Sequence, residues 1–178
     1  AFIGNEPFVV MLGDDIVQAE VPCTRQLIEQ YEITNSSIIG VQPVADEDTQ
    51  RYGIVDPSTS ISENLHKVKS FVEKPAPGTA PSNLAILGRY LLTPEIFKYL
   101  ETQEIGSGGE IQLTDAIAKE LEQGRGVFGY KFEGTRFDCG SKAGFLQATI
   151  ACALDREDLR SELFEFLQAT TLQKTAAE

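Results

Sequence analysis

Three short polar clusters follow apolar runs at places where a strand is expected to end: Gly13-Asp14-Asp15, Glu73-Lys74-Pro75 and Asp138-Cys139-Gly140. In an open α/β sheet, ligands bind beyond the carboxyl ends of the strands, so a site is expected at such positions. Two acids and a lysine that met there could bind a magnesium ion through the carboxylates and a phosphate through the ammonium group. On spacing alone another interpretation stays open, because acids after strands often form turns or cap helices, and a Lys-Pro pair is often a solvated strand end.

The charge of the chain restricts its partners. Its 178 residues include 27 acids and 15 bases, which gives a net charge of −12 at pH 7. Such a field repels phosphate backbones and anionic lipid, so we expect neither nucleic-acid nor membrane-surface binding. His66 is the only histidine, which excludes a histidine-based triad or a multi-histidine metal site within this chain. A metal held by carboxylate oxygens would be a hard ion such as Mg²⁺.

The cysteines and the hydropathy pattern bear on location. Cys23, Cys139 and Cys152 are odd in number and scattered, without a C-x-x-C pair, as is typical of reduced thiols. No run reaches the ~20 apolar residues that a membrane span needs, and the first residues show no signal-peptide pattern. These features predict a cytoplasmic protein.

Apolar strand-like runs alternate with helical patterns along the chain. We expect strands at 7–12, 36–44, 53–57, 66–75, 83–92, 126–132 and 135–140, and helices at 22–31, 93–100, 113–121, 143–154 and 159–167. The glycine-rich segment 105–110 is expected to be a turn. Interleaved strands and helices predict an α/β fold, with a mixed sheet because hairpin-like strand pairs occur among them.

Six motifs occur in a fixed order: LGDD, YGIVD, FVEKP, APSNLAILGRYLLTPEIF, GGEIQLTDAI and FDCGSKAGFLQA. Together they closely resemble the bacterial UTP–glucose-1-phosphate uridylyltransferases, also called UDP-glucose pyrophosphorylases. The resemblance covers essentially the whole chain. It implies a Rossmann-like nucleotidyltransferase fold with a mixed sheet.

The resemblance also implies roles for individual residues of a sugar-phosphate site. The lysine that matches Lys74 contacts the phosphate of glucose-1-phosphate, and the acid that matches Glu73 accepts hydrogen bonds from sugar hydroxyls. Gly53 matches a backbone position that lies against the sugar, where a side chain would intrude. The strand around Ile86 and Gly88 is expected to form the other wall of the pocket.

The same resemblance implies a metal site and a reaction. Asp14 matches the metal-binding acid of the LGD motif, and Asp138 matches the second metal acid of the wider superfamily, so we expect Mg²⁺ at this pair. The implied reaction transfers a nucleotidyl group from UTP to glucose-1-phosphate, giving UDP-glucose and pyrophosphate. Lys74 and Asp14 are the expected catalytic residues, acting by positioning and charge neutralisation.

Two further expectations concern organisation. Residues 1–155 are expected to form the sugar-phosphate and metal-binding part of a nucleotidyltransferase domain. Residues 156–178 are expected to form a C-terminal helix that supports a dimer, so the protein is expected to be a homo-oligomer.

One motif of the family has no counterpart in the chain. These enzymes open with a strand and a glycine-rich loop, G-x-G-T-R-x-x-P, that cradles the triphosphate and contacts the base. We therefore expect the chain to lack the N-terminal nucleotide-binding portion and not to make UDP-glucose by itself. The alternative is a natural short paralogue that is non-catalytic and binds sugar phosphate or assists assembly.

Overall fold

The fold is α/β, as the alternation of patterns predicted, with a six-stranded mixed sheet. The structure, a computed structural model, describes residues 3–102 and 111–175. The strands are β1 (Phe8–Met11), β2 (Asp15–Gln18), β3 (Ser37–Pro43), β4 (Gly53–Ser60), β5 (Leu65–Glu73), β6 (Leu84–Leu92), β7 (Val127–Lys131) and β8 (Thr135–Asp138). The helices are α1 (Cys23–Thr34), α2 (Ile96–Thr102), α3 (Leu113–Glu122), α4 (Lys142–Asp155) and α5 (Glu157–Thr175), with a 3₁₀ helix, η1, at Asp46–Arg51.

The large sheet has the strand order β1-β6-β3-β7-β5-β4, and β4 also pairs with β6. Only β3 and β7 run parallel, and the other neighbours are antiparallel. β6 pairs with strands on both of its edges, and eight of its nine residues are buried, which explains why its sequence is apolar apart from Arg89. β4 and β5 form a long hairpin whose ladder is interrupted by bulges on both sides of Pro57, since proline cannot donate a ladder hydrogen bond.

The core lies on the large sheet and against α2 and α3. These helices contribute an apolar face with the spacing that the sequence predicted. The buried residues of this cluster include Ile39, Val41, Val55, Val68, Ile86, Leu92, Ile96, Ala116, Ile117 and Val127.

A buried carboxylate ties three elements together at one edge of this core. Glu120 of α3 is 1 % exposed, and both of its oxygens accept from the Ser37 hydroxyl at 3.1 Å. The Thr93 hydroxyl donates to Oε1 at 3.2 Å, and the Thr93 N–H donates to Ser37 Oγ. Burial raises the pKa of the Glu120 carboxyl above its usual value, although both hydroxyl bonds oppose the shift.

The chain divides into two compact units. The first comprises Ala1–Leu12 and Gln18–Gly134, and the second comprises Gly13–Val17 and Thr135–Glu178. The first contains the large sheet with α1, α2 and α3; the second contains β8, α4 and α5. These compact units do not test the functional division that was expected at residue 155, and that division stays a prediction.

Most elements lie where the sequence predicted them, with three differences. β2 was not predicted, and it pairs with β8 in a separate two-stranded sheet. The acidic segment after β3 was expected to be a loop and forms η1 instead. The third difference is that three elements continue beyond their expected ends: α1 to Thr34 instead of residue 31, β4 to Ser60 instead of residue 57, and α5 to Thr175 instead of residue 167.

The turn expected at 105–110 lies outside the described residues. Within the described part of the chain, no helix is both long enough and apolar enough to cross a membrane.

Candidate functional site

Three neighbouring strands of the first unit bring Gly53, Glu73 and Ile86 together. Gly53 begins β4 and lies directly opposite Glu73, the last residue of β5. A Cβ atom at Gly53 would lie 3.0 Å from Glu73 Oε2 and 3.3 Å from Ile86 Cδ1. The absence of a side chain at Gly53 therefore leaves room for the Glu73 carboxylate beside a buried apolar wall.

Lys74 follows Glu73 with an unusual backbone. Its φ is +43°, in the left-handed region that residues other than glycine rarely adopt. Its N–H donates to the Tyr52 carbonyl at 3.1 Å, which adds one bond to the β4–β5 hairpin beyond its last strand pair. Adjacent residues of a regular strand point to opposite faces, but here Lys74 Nζ lies 4.0 Å from Glu73 Oε1.

Both charged groups of this pair are accessible to a ligand. The Lys74 and Glu73 side chains are 64 % and 57 % exposed, and an ion pair so exposed contributes little to stability. An ammonium group and a two-oxygen acceptor on the same side of a strand end can instead bind a phosphate and hydroxyl groups. The predicted arrangement of an acid and a base at this strand end is present.

Gly88 lies on the same strand as Ile86 and two residues further on, hence on the same face of the sheet. It is buried, and its carbonyl accepts from the Leu12 N–H and from Arg89 Nη1, both at 2.9 Å. Its role as a wall of the pocket stays a prediction, as do the roles of the other site residues.

The second unit contains Asp14 and Asp138. A Cβ atom at Gly140 would lie 3.1 Å from Asp138 Oδ1 and 3.2 Å from Asp14 Oδ2, so the two carboxylates border the same small space. The Cys139 N–H donates to the Asp14 carbonyl at 2.7 Å, and the Gly140 N–H donates to Asp138 Oδ1 at 3.1 Å. The first bond joins the residue before β2 to the residue after β8, and the second lies within the turn that follows β8.

The pair fits a magnesium ion by its donor chemistry. Mg²⁺ takes oxygen ligands and is commonly held by one or two carboxylates, with substrate phosphates and water completing the shell. Among the described residues, no group of three or more Asp, Glu, His or Cys side chains could hold a metal ion. Asp15 is not part of the pair, because it is buried and paired with Arg136.

A tight helix start positions Asp138. Ser141 caps α4, and its hydroxyl accepts from the Gly144 N–H at 3.0 Å. A Cβ atom at Gly144 would lie only 2.0 Å from the Asp138 carbonyl oxygen, so only glycine allows this approach of α4 to β8. The glycines of DCGSKAG were the available signal for this packing, which the sequence analysis did not use.

Cys23 is poorly suited to act as a nucleophile. Burial raises the pKa of the Cys23 thiol to about 11, so the reactive thiolate is scarce at neutral pH. Cys23, Cys139 and Cys152 are all free thiols, as the sequence predicted.

Comparison with known proteins gives consistent matches. The family model for nucleotidyl transferase matches residues 1–153. The chain is 60 % identical over 167 residues to the UTP–glucose-1-phosphate uridylyltransferase of Bacillus subtilis, covering 94 % of the chain and 56 % of that protein. It is 59 % identical over 168 residues to UTP–glucose-1-phosphate uridylyltransferase 1 of Staphylococcus saprophyticus, covering 94 % of the chain and 58 % of that protein. The chain thus spans a little over half the length of these relatives.

Solved structures agree with the sequence matches. A UDP-glucose pyrophosphorylase complexed with UDP-glucose is similar with a TM-score of 0.80 and 38 % identity, over 87 % of this chain and 59 % of that one. The UTP-bound enzyme from Acinetobacter baumannii is similar with a TM-score of 0.84 and 36 % identity, over 94 % of this chain and 57 % of that one. These matches confirm the resemblance drawn from the motifs and the nucleotidyltransferase fold that it implied.

Proposed function

The chain belongs to the nucleotidyl transferase family, and on that premise we propose that it supplies the sugar-phosphate and metal-binding part of a UTP–glucose-1-phosphate uridylyltransferase. The complete enzyme would transfer a uridylyl group from UTP to glucose-1-phosphate and release UDP-glucose and pyrophosphate. The relatives that share most of this chain's sequence carry that name. Because the chain spans only part of those proteins, both the activity and the substrates are part of the proposal.

The convergence of Gly53, Glu73 and Lys74 is the observation that carries the proposal. Lys74 would bind the phosphate as a point charge, and the Glu73 carboxylate would accept hydrogen bonds from sugar hydroxyls. Gly53 would let the sugar approach the backbone, since a side chain there would collide with Glu73 and Ile86. Ile86 and Gly88 would supply the apolar and backbone wall.

The reaction needs no covalent bond to the protein. A phosphate oxygen of glucose-1-phosphate attacks the α-phosphorus of UTP, and the bond from that phosphorus to the pyrophosphate oxygen breaks. Catalysis is then mainly positioning and charge neutralisation. Lys74 would hold the attacking phosphate in place and offset part of its negative charge. Asp14 and Asp138 would hold a Mg²⁺ ion, which would supply further charge neutralisation for the phosphates.

We extend the proposal to assembly and location. Leu159 and Phe166 of α5 are 40 % and 63 % exposed and lie seven residues apart, hence on one face of the helix, and an exposed apolar patch is typical of a contact surface. This supports a homo-oligomer in which residues 156–178 contact a second copy. The free thiols support a cytoplasmic location. Light scattering of the wild type and of Phe166→Ser tests the oligomer, because the variant should shift the mass toward a monomer.

The function is tested by pyrophosphate release from UTP and glucose-1-phosphate, using the protein that carries this chain. Lys74→Ala should lower kcat/KM for glucose-1-phosphate by a factor of about 30 to 1,000, equivalent to the loss of a charge-assisted contact of about 2–4 kcal/mol, with little change in KM for UTP. Lys69→Ala is the matched control, because Lys69 lies on β5, the strand that Lys74 follows, and pairs with Asp56. Near-normal kinetics of Lys74→Ala would mean that Lys74 is only a solvated residue at a strand end and does not bind the phosphate. Binding of glucose-1-phosphate without any turnover would fit both a fragment of the enzyme and the non-catalytic paralogue, and an in-frame upstream coding segment would favour the fragment.

A further inference from the structure

The left-handed backbone of Lys74 needs support from its surroundings. Such a conformation costs free energy in a residue with a side chain, and it persists only where neighbouring contacts determine it. The N–H of Lys74 donates to the carbonyl of Tyr52. Tyr52 is the residue that follows η1, so the position of this carbonyl depends on how η1 ends.

Thr49 holds η1 together from within. Its hydroxyl donates to the Asp46 carbonyl at 2.7 Å, and its own carbonyl accepts from the Tyr52 N–H at 3.2 Å. Thr49 is 2 % exposed, so water cannot readily replace the hydroxyl bond. A continuous set of hydrogen bonds therefore runs from Asp46 through Thr49 and Tyr52 to Lys74.

η1 is not closely packed on the side that faces the loop after Lys74. Between η1 and this loop lies a cavity of about 300 Å³, lined by Asp46, Thr49, Gly78, Ala80, Ser82 and Asn83. A cavity of this size holds solvent and no protein atoms, so η1 has few packing contacts on that side. The hydrogen bonds that Thr49 makes within η1 are therefore more important for holding η1 in place.

We propose that Thr49 is a positioning residue that sets the backbone, and hence the side chain, of Lys74. The inference rests on the proposed function, since Lys74 is taken to bind the sugar phosphate. Loss of the Thr49 hydroxyl bond would let the Tyr52 carbonyl move and would release Lys74 toward an ordinary extended backbone. The ammonium group would then turn away from the side of Glu73, and the affinity for the phosphate would fall.

Thr49→Val tests the inference, because valine has nearly the same shape and lacks the hydroxyl. In the protein that carries this chain, KM for glucose-1-phosphate should rise about tenfold at unchanged kcat, with KM for UTP unaltered. Thr49→Ser restores a hydroxyl and should restore KM. Hydrogen exchange of the Lys74 amide should be faster in Thr49→Val than in the wild type.

Thr34→Val is the matched control, since the Thr34 hydroxyl makes the same kind of bond, to the Gln30 carbonyl at 2.9 Å, in α1. This variant should leave KM for glucose-1-phosphate unchanged. If Thr49→Val does not fold, an ester in place of the amide between residues 73 and 74 removes the N–H donor itself. This change should raise KM for glucose-1-phosphate to a similar extent.

Unchanged KM in Thr49→Val, or in the ester, would overturn the inference if Lys74→Ala still raises KM. Unchanged KM in Lys74→Ala would instead refute the proposed function.

Discussion

Lys74 Nζ lies 4.0 Å from Glu73 Oε1, although consecutive residues of a regular strand face opposite sides of the sheet. The positive φ of Lys74 breaks the alternation at the end of β5, and the bond from the Lys74 N–H to Tyr52 keeps the turned residue attached to the hairpin. An acid and a base are thereby presented together to solvent. This backbone feature connects the sequence FVEKP to the proposed site for a phosphorylated sugar.

The positive φ of Lys74 predicts that glycine is more stable than alanine at this position, the reverse of the usual order within a strand. Lys74→Gly should be more stable than Lys74→Ala by about 1 kcal/mol, because glycine adopts the left-handed backbone without steric cost. At Lys67, which pairs with Thr59 of β4 and Phe128 of β7, the glycine variant should instead be less stable than the alanine variant by about 0.5–1 kcal/mol. Urea unfolding of the four variants gives both differences. The same sign at both positions would contradict the strained backbone.

The space beside Gly53 predicts that a single methyl group disturbs the site. Gly53→Ala places its Cβ 3.0 Å from Glu73 Oε2 and 3.3 Å from Ile86, so the carboxylate must move. We expect KM for glucose-1-phosphate to rise about tenfold or more with the fold retained. Gly129→Ala is the control, because its Cβ would meet only ordinary contacts at 3.7 Å and beyond. Equal kinetic effects of the two variants would argue against a sugar next to Gly53.

The metal proposal predicts matched losses at Asp14 and Asp138. Asp14→Asn and Asp138→Asn should each weaken Mn²⁺ binding at least about tenfold, since the loss of even an indirect partner of a metal costs that much. Titration of the unliganded protein with Mn²⁺, followed by electron paramagnetic resonance, measures this without turnover. Asp158→Asn is the control, because Asp158 is exposed and paired with Arg156. Retained affinity in Asp138→Asn alone would remove Asp138 from the metal site.

The buried Glu120 predicts a component of stability that depends on pH. Its pKa is raised in the folded protein, mainly by burial, so the folded state binds this proton more tightly than the unfolded chain. The contribution to stability is fully present below the unfolded pKa and is lost as pH rises through the folded pKa.

Glu120→Gln keeps an acceptor for Ser37 and Thr93 and removes the titration. The unfolding free energy of this variant should therefore fall less than that of the wild type as pH rises from the acid range to neutrality. Chemical denaturation across this range is the measurement, and Glu122→Gln, an exposed change on the same helix, is the control. If the unfolding free energies of Glu120→Gln and the wild type changed equally with pH, the raised pKa of Glu120 would be contradicted.

The sequence predicted most of the large sheet because its strands are short apolar runs between turn residues. It did not predict β2, because Asp15–Gln18 is brief and begins within the acidic pair Asp14-Asp15, and its partner β8 lies more than a hundred residues away. Such pairing is fixed by tertiary contacts that local propensity does not contain. The polar residues of the site were likewise predicted by position and motif. The left-handed backbone of Lys74 was not, because a lysine before a proline gives no local signal for a positive φ.

The central claim is that Lys74 and Glu73 bind a sugar phosphate, and equilibrium binding tests it most directly. Glucose-1-phosphate is titrated calorimetrically into the protein that carries this chain, and into its Lys74→Ala, Glu73→Gln and Lys69→Ala variants. We predict that Lys74→Ala weakens binding by a factor of about 30 or more, as the loss of a charge-assisted contact requires, that Glu73→Gln also weakens it, and that Lys69→Ala does not. Equal affinity of the wild type and Lys74→Ala for glucose-1-phosphate would contradict the claim.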